Sequence, residues 1–241
     1  MKAMPEDLWR RQKRLAIQRL WEDLEIGYLD KDLLPVLVLV NRDERYYTKS
    51  SCSGRIVISD STTPWSREET GTVFKKHVEV SVEELEHVLA TRPVRSFWLN
   101  VSGPIVHLSA RSLAAAIEML RIARRAGYKH SGILSLNPRK GVVVELRTGV
   151  RMSHLLATQG GVLVRGRQLE EVVEAANRIL MKGKEFLERL YVEASRELPR
   201  EVDAEFEGSD LARAASARAR SPLELYREML SESRRTHASG P

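Results

Sequence analysis

Apolar residues recur at three- and four-residue spacing over residues 5–26, with Leu8, Leu15, Leu20 and Leu24 joined by Trp9, Ala16, Ile17 and Trp21 on a charged background. That pattern predicts a helix, and Gly27 supplies its stop. Asp30 or Asp32 can cap a second short helix over residues 33–40. The spacing then changes. Residues 55–59, 73–80, 95–101, 104–109, 132–135 and 141–147 are rich in Val, Ile, Phe, Trp or Leu and bounded by Gly, Pro or Ser, which predicts strands. Residues 162–164 give a further short strand.

Helical periodicity returns between these runs. Ser81-Val82-Glu83-Glu84 is a capping signature ahead of Leu85, Val88 and Leu89. Ser112 opens a cleaner helix with Leu113, Ala116, Ile117, Leu120 and Ala123 on one stripe; Gly127 closes it, and Arg121, Arg124 and Arg125 crowd its negative end. Residues 169–194 carry Val172, Val173, Ala176, Ile179, Leu180, Leu187, Leu190 and Tyr191 on one face, a long amphipathic helix interrupted at Gly183. Gly103-Pro104 predicts a tight turn between the third and fourth strands, and Asn137-Pro138-Arg139-Lys140 links two later ones. The expected fold is therefore α/β (α+β): a mixed β-sheet with flanking helices and a long C-terminal amphipathic helix. Residues 1–195 read as one domain. Residues 196–241 are poor in large apolar side chains until Leu223, Tyr226 and Leu230, and read as a flexible tail with one short docked helix.

Composition narrows the class. The 241 residues can bury a substantial core. Cys52 is the single cysteine, which excludes an internal disulfide framework and fits a reducing, cytoplasmic setting. No apolar run approaches the ~20 residues a membrane helix needs. The net charge is +6, and residues 42–165 hold 19 Lys and Arg against 11 Asp and Glu, whereas residues 196–241 hold 8 against 9. The positive field belongs to the middle of the chain, where a polyanion would be attracted.

Several chemistries lack their motifs. No Gly-x-Gly-x-x-Gly follows a strand, so a Rossmann turn has no support. No Walker sequence, His-Glu-x-x-His or Gly-x-Ser-x-Gly is present. The six histidines are scattered without metal-ligand spacing. What remains is polar residues on strands and their edges. Ser50-Ser51-Cys52-Ser53-Gly54-Arg55 offers small side chains, hydroxyls and a guanidinium just before an apolar strand, suited to a ligand's polar atoms. His107 alternates with Val106 and Leu108, so it points away from them. Arg111 follows at the start of a helix, Ser131 and Gly132 open one strand, and Arg147 closes the next. Glu145 is the one carboxylate inside an internal strand of this region, and one carboxylate makes no acid/base pair.

Four of these stretches occur in a recognisable order: Ser-Ser-Cys-Ser-Gly-Arg-Ile, Pro-Ile-Val-His-Leu-Ser-Ala-Arg, Ala-Gly-Tyr-Lys-His-Ser-Gly-Ile and Val-Glu-Leu-Arg-Thr. With the later Ala-Ala-Asn-Arg-Ile-Leu-Met, residues 6–195 resemble the tRNA wybutosine-synthesizing protein 3 family. Lys76 departs from that pattern, as does the stretch 149–156. The resemblance implies an α/β fold distinct from Rossmann methyltransferases, S-adenosylmethionine as cofactor, no metal, and methylation of N4 of a demethylwyosine-type base 3′ to the anticodon of tRNA-Phe. It implies binding roles for Ser51, Ser53, Arg55, Arg111, Ser131, Gly132 and Arg147, and makes His107 and His77 the candidate proton acceptors. Two other readings fit the residues: a non-catalytic tRNA-binding scaffold, and a Ser/His hydrolase built on residues 51–53 with His107, for which no orienting carboxylate is recognisable.

Overall fold

The computed structural model describes residues 4–66, 71–137, 141–216 and 220–238. Among these the chain forms, in order, α1 (Glu6–Glu25), a 3-10 turn (Lys31–Leu33), α2 (Leu34–Arg42), β1 (Tyr46–Cys52), β2 (Arg55–Asp60), β3 (Gly71–Lys76), α3 (Val82–Leu89), β4 (Ser96–Ser102) and β5 (Ile105–Ala110). There follow α4 (Leu113–Arg125), β6 (Gly132–Asn137), β7 (Gly141–Arg147), β8 (Arg151–Thr158), β9 (Gly161–Val162), α5 (Arg167–Ser195), α6 (Ala204–Glu207), α7 (Asp210–Ser216) and α8 (Pro222–Ala238). Positions 138–140 of the expected Asn-Pro-Arg-Lys link lie outside the described residues.

Every strand pairing among the described residues is antiparallel, and the strands divide into two sheets, β1-β5-β7-β6 and β3-β2-β4-β8-β9. This helix-flanked β architecture stands apart from the parallel Rossmann sheet, as expected, but one mixed sheet is replaced by two antiparallel ones. The sheets belong to two compact units, where a single domain is expected over residues 1–195. The first unit is Met1–Ser53, Pro104–Gly149 and Lys184–Met229; the second is Gly54–Gly103, Val150–Gly183 and Leu230–Pro241. The reason lies in the connections. Ser53-Gly54 leads from β1 in one sheet to β2 in the other, and Gly103-Pro104 leads from β4 to β5 in the same way, so neither closes a hairpin.

In the first unit one sheet face is apolar and buried. Tyr46, Val106, Leu108, Ala110, Val142, Val144 and Leu146 meet Ala116, Met119, Ile122 and Ala123 of α4, with Leu37 of α2 and Leu187, Leu190 and Ala194 of α5 in the same core. Ser112 caps α4 through its hydroxyl, which accepts the Ala115 N–H at 3.1 Å. On the opposite face Trp9 and Met4 pack on Tyr47 at one end. Toward its other end the His107 and Glu145 side chains are 26% and 21% exposed.

The second unit buries Ile56, Ile58, Phe97, Leu99, Val101 and Leu156 against Leu85 and Leu89 of α3 and Leu169, Val173, Ala176 and Leu180 of α5. The expected capping box is present: the Ser81 hydroxyl accepts from the Glu84 N–H, and the Glu84 carboxylate from the Ser81 N–H. Asn177 clamps Val80, accepting its N–H at 2.9 Å and donating to its carbonyl at 2.8 Å. α5 runs through Gly183 unbroken. Packing of both its halves outweighs the ~1 kcal/mol helix penalty of one glycine.

Among the described residues of 196–241 the chain forms three helices, where one docked helix is expected. Val202 bridges Asp43, the Asp203 N–H donates to the Arg42 carbonyl at 2.9 Å, and the Glu44 N–H donates to that of Glu201 at 2.9 Å. Phe206, Leu211, Ala212 and Tyr226 are buried. A few anchors suffice because each fully buried large apolar side chain contributes roughly 1.5–3 kcal/mol. The sequence lacks a long apolar stripe here, and the register of those few residues emerges only once the backbone is pinned at Asp43.

Two consequences are measurable. Gly54 has φ +100°, and a Cβ there would lie 2.8 Å from the Ser102 carbonyl oxygen. Gly54→Ala is expected to cost about 1–3 kcal/mol in urea unfolding. Asp43 is buried; its carboxylate accepts from Arg45 Nε at 2.9 Å, Arg45 Nη2 at 2.7 Å, the Arg45 N–H at 3.0 Å and the Arg200 N–H at 2.9 Å. Burial pushes this carboxyl up, but the Arg45 guanidinium and the two backbone N–H groups outweigh it and hold it below its ordinary value. A depressed carboxyl stabilises the fold above its unfolded-state value and loses that contribution as pH falls through the folded one. Tm measured by calorimetry should therefore fall below about pH 4, and Asp43→Asn, with a lower Tm at neutral pH, should show a shallower acid-side decline.

Candidate functional site

The serine stretch divides into parts with different fates. Ser50, Ser51 and Cys52 end β1, paired to β5 through a bulge between Thr48 and Ser51, and Ser53-Gly54 leads into β2. The sequence reads this stretch as a polar turn; pairing with β5 makes its first half a strand. Ser53 is fully buried. Its N–H donates to Asp30 Oδ2 at 2.9 Å, and its hydroxyl accepts from Lys184 Nζ at 2.7 Å. Lys184 also donates to Asp32 Oδ2 at 2.7 Å, and its ammonium lies 5.1 Å from the centre of the Tyr226 ring. Neither Asp30 nor Asp32 caps α2, whose start holds no side-chain cap bond; both carboxylates turn to the serine stretch and its lysine instead. Burial pushes the Asp32 carboxyl up, and Lys184 opposes it. Ser53 is thus an internal polar anchor.

The outer face of the same sheet brings several of the expected residues together. Register places His107 of β5 opposite Glu145 of β7, and Glu145 opposite Gly132 of β6. The imidazole is fixed at both nitrogens: Nδ1 lies 2.9 Å from the Ser50 carbonyl oxygen and Nε2 lies 3.0 Å from Glu145 Oε2. A carbonyl only accepts, so Nδ1 carries a hydrogen, assigned from its partner. Glu145 Oε1 has no partner among the described residues. A Cβ built on Gly132 would meet nothing within 4 Å, and its φ is not in the left-handed region. Neither backbone strain nor packing therefore requires a glycine there, and the floor beside Glu145 is bare.

The other sequence-predicted residues fall into three groups. Ser51 and Ser131 frame the row: the Ser51 hydroxyl accepts the His107 N–H at 3.3 Å, and that of Ser131 accepts the Arg147 N–H at 3.0 Å while donating to the Tyr128 carbonyl at 2.8 Å. Arg147 is exposed, with no side-chain partner among the described residues. Arg111 lies elsewhere, just past the end of β5 and four residues from His107, about 13 Å at strand rise. Its guanidinium donates to Glu44 Oε1 at 3.1 Å and to Glu6, an ion-paired strut holding α1 to the sheet. Arg55, exposed at the start of β2, and His77, half-buried between β3 and α3, belong to the second unit. Among the described residues no serine hydroxyl bonds the His107 ring, whose partners are the Ser50 carbonyl and Glu145, so they do not form the relay that a Ser/His hydrolase needs.

Sequence reading notes Glu145 only as a solitary carboxylate. Antiparallel pairing of residues 104–109 with 141–147 would have set it opposite His107, but register needs the partner strand. Lys184, in the middle of an amphipathic helix, gave no signal at all. Because it is buried with its counterion, Lys184→Met leaves Asp32 uncompensated and should cost about 3–5 kcal/mol in denaturant unfolding, whereas Lys184→Met with Asp32→Leu should recover most of that loss.

Comparison with known proteins follows the same stretch of chain. A model of the family Methyltransferase TYW3 matches residues 11–196. A protein of Saccharolobus solfataricus named tRNA(Phe) 7-((3-amino-3-carboxypropyl)-4-demethylwyosine(37)-N(4))-methyltransferase is 43% identical over 179 residues, 74% of this chain and 85% of the relative. An Aeropyrum pernix protein of the same name is 36% identical over 165 residues, 68% of this chain and 87% of the relative. A solved structure from Pyrococcus horikoshii superposes with a TM-score of 0.72 at 34% identity, covering 78% of this chain and 96% of that one. With the family model spanning three quarters of the sequence and relatives above 30% identity over two thirds or more of it, the chain belongs to the TYW3 methyltransferase family.

Proposed function

We propose that this methyltransferase acts on tRNA(Phe), placing a methyl group on N4 of the demethylwyosine-type base at position 37, 3′ to the anticodon, with S-adenosylmethionine as donor and the cytoplasm as its setting. The observation that carries the reading is the 43% identity over 179 residues to a relative named for that reaction. The middle of the chain is basic, which favours a polyanion, and an anticodon loop presents its bases unpaired, so no duplex need be opened.

The donor supplies a methyl group on a sulfonium, and its transfer to nitrogen demands alignment more than a strong nucleophile. The residues fit a ligand bearing a carboxylate. Arg147 stands exposed on the open face and can fork onto a carboxylate or phosphate, and Arg55 offers the same group in the second unit. Arg111, engaged by Glu6 and Glu44, braces the fold rather than holding ligand. Gly132 leaves space beside Glu145, while Ser51 and Ser131 hold the strands that carry His107 and Arg147. Ser53 supports this surface from beneath.

The test is incubation with labelled S-adenosylmethionine and tRNA from cells lacking the protein. Label is expected at the base 3′ to the anticodon, and its absence there would sink the enzymatic reading. S-adenosylmethionine at about 100 times its Kd should stabilise the protein by about 2.7 kcal/mol, a rise in Tm that a tRNA-binding scaffold would not show. Arg147→Ala, losing a charged hydrogen bond of about 1.5–3 kcal/mol, should raise KM for one of the two substrates by roughly 10- to 100-fold with Tm unchanged.

A further inference from the structure

The sequence points to a histidine as the group that takes the proton lost from N4, and the geometry at His107 points elsewhere. Its Nδ1 is committed to the Ser50 carbonyl and its Nε2 to Glu145 Oε2. No ring lone pair is left facing the open side. The carboxylate has what the ring lacks. Oε2 is held by His107, and Oε1 has no partner among the described residues. The two cross-strand neighbours of Glu145 are His107 on one side and Gly132 on the other, and around Gly132 a Cβ would meet nothing within 4 Å. The carboxylate is therefore fixed from one flank and open on the other. Arg147 lies two residues along the same strand face, and on this side β6 sets Gly132 against Glu145, Ser135 against Val143 and Asn137 against Gly141.

We propose that Glu145 is the catalytic proton acceptor of the methyl transfer, that His107 is a positioning residue that orients it, and that Gly132 is the gap through which the base reaches it. This rests on the N4-methyltransferase reading above. As N4 takes the methyl from the sulfonium donor, the sulfur keeps the electron pair of the broken bond. The N4–H proton passes to Glu145 Oε1, and the electron pair of that N–H bond stays on nitrogen.

The test uses single-turnover methylation of tRNA(Phe) from cells lacking the protein, with excess full-length enzyme and labelled S-adenosylmethionine. Glu145→Gln should lower the rate by roughly 10²- to 10⁴-fold, the range for a lost general base, and remove the acid limb of the pH–rate profile. His107→Asn should lower the rate by about tenfold, as for about 1.4 kcal/mol of misplacement, and keep that limb. Gly132→Val should lower the rate at least as much as His107→Asn without lowering Tm. Binding of tRNA without donor should change less than twofold in Glu145→Gln and His107→Asn.

Wild-type enzyme inactive on this tRNA would mean that the underlying reading fails. Active wild type with Glu145→Gln within threefold of it would overturn the assignment of Glu145. Loss of the acid limb in His107→Asn would return the role to the histidine. Weakened tRNA binding by Glu145→Gln would make Glu145 a binding residue and equally overturn the proposal.

Discussion

One buried ion pair holds the first unit's functional end in place. Lys184, from the second half of α5, reaches Asp32 and Ser53, residues more than 130 positions away in sequence, at 2.7 Å each. An ammonium buried this deeply is tolerable only with its donors directed at an anion and good acceptors, because the desolvation cost is several kcal/mol. Here two N–H groups meet oxygens, and the ammonium also faces the Tyr226 ring, whose π-cloud attracts a cation. The cost of burial becomes a constraint on geometry. Ser53 cannot shift without stranding the lysine, and β1 therefore ends at a fixed place beside β5.

From that fixed point the open face follows by register. β1 presents the Ser50 carbonyl to His107 Nδ1, β5 presents His107 to Glu145, and β7 presents Glu145 to the bare backbone of Gly132. The buried face of the same sheet is filled by apolar side chains from α1, α2, α4, α5 and α7, so the strands have little freedom to slip; a one-residue slip would turn His107 into the core. At one end Trp9 and Met4 cover the outer face through α1, and Arg111 with Glu6 and Glu44 ties that helix down. Cover at one end leaves a bounded, polar platform toward the other.

The chain after residue 196 lies beyond the family's matched span, yet Leu198, Phe206, Leu211 and Ala212 belong to the first unit's core. Phe206 and Leu211 pack there, the Asp43 carboxylate accepts the Arg200 N–H, and Tyr226 covers Lys184. The extension thus shares the polar anchor on which the serine stretch depends, and its stability is coupled to that of the site above.

Local signals decide what needs only neighbours in sequence. The Ser81 box, the Ser112 cap, the Gly127 stop and most of the strands follow from hydrogen bonds and periodicities spanning a few residues, and they are legible in the chain. So are the motifs of the family, including His107, Ser131, Gly132 and Arg147. What tertiary structure alone decided are the relations between distant segments. β1 is too polar to declare itself a strand until β5 pairs with it, and β8 lacks a clean alternation. Two sheets in place of one follow from where Ser53-Gly54 and Gly103-Pro104 lead. Ser53 looks like a ligand-facing hydroxyl until Lys184 arrives beneath it, and Glu145 looks solitary until pairing sets it against His107. Short-range propensity fixes an element's type, whereas burial and register fix which side chains meet, and the chemistry of this site depends on the second.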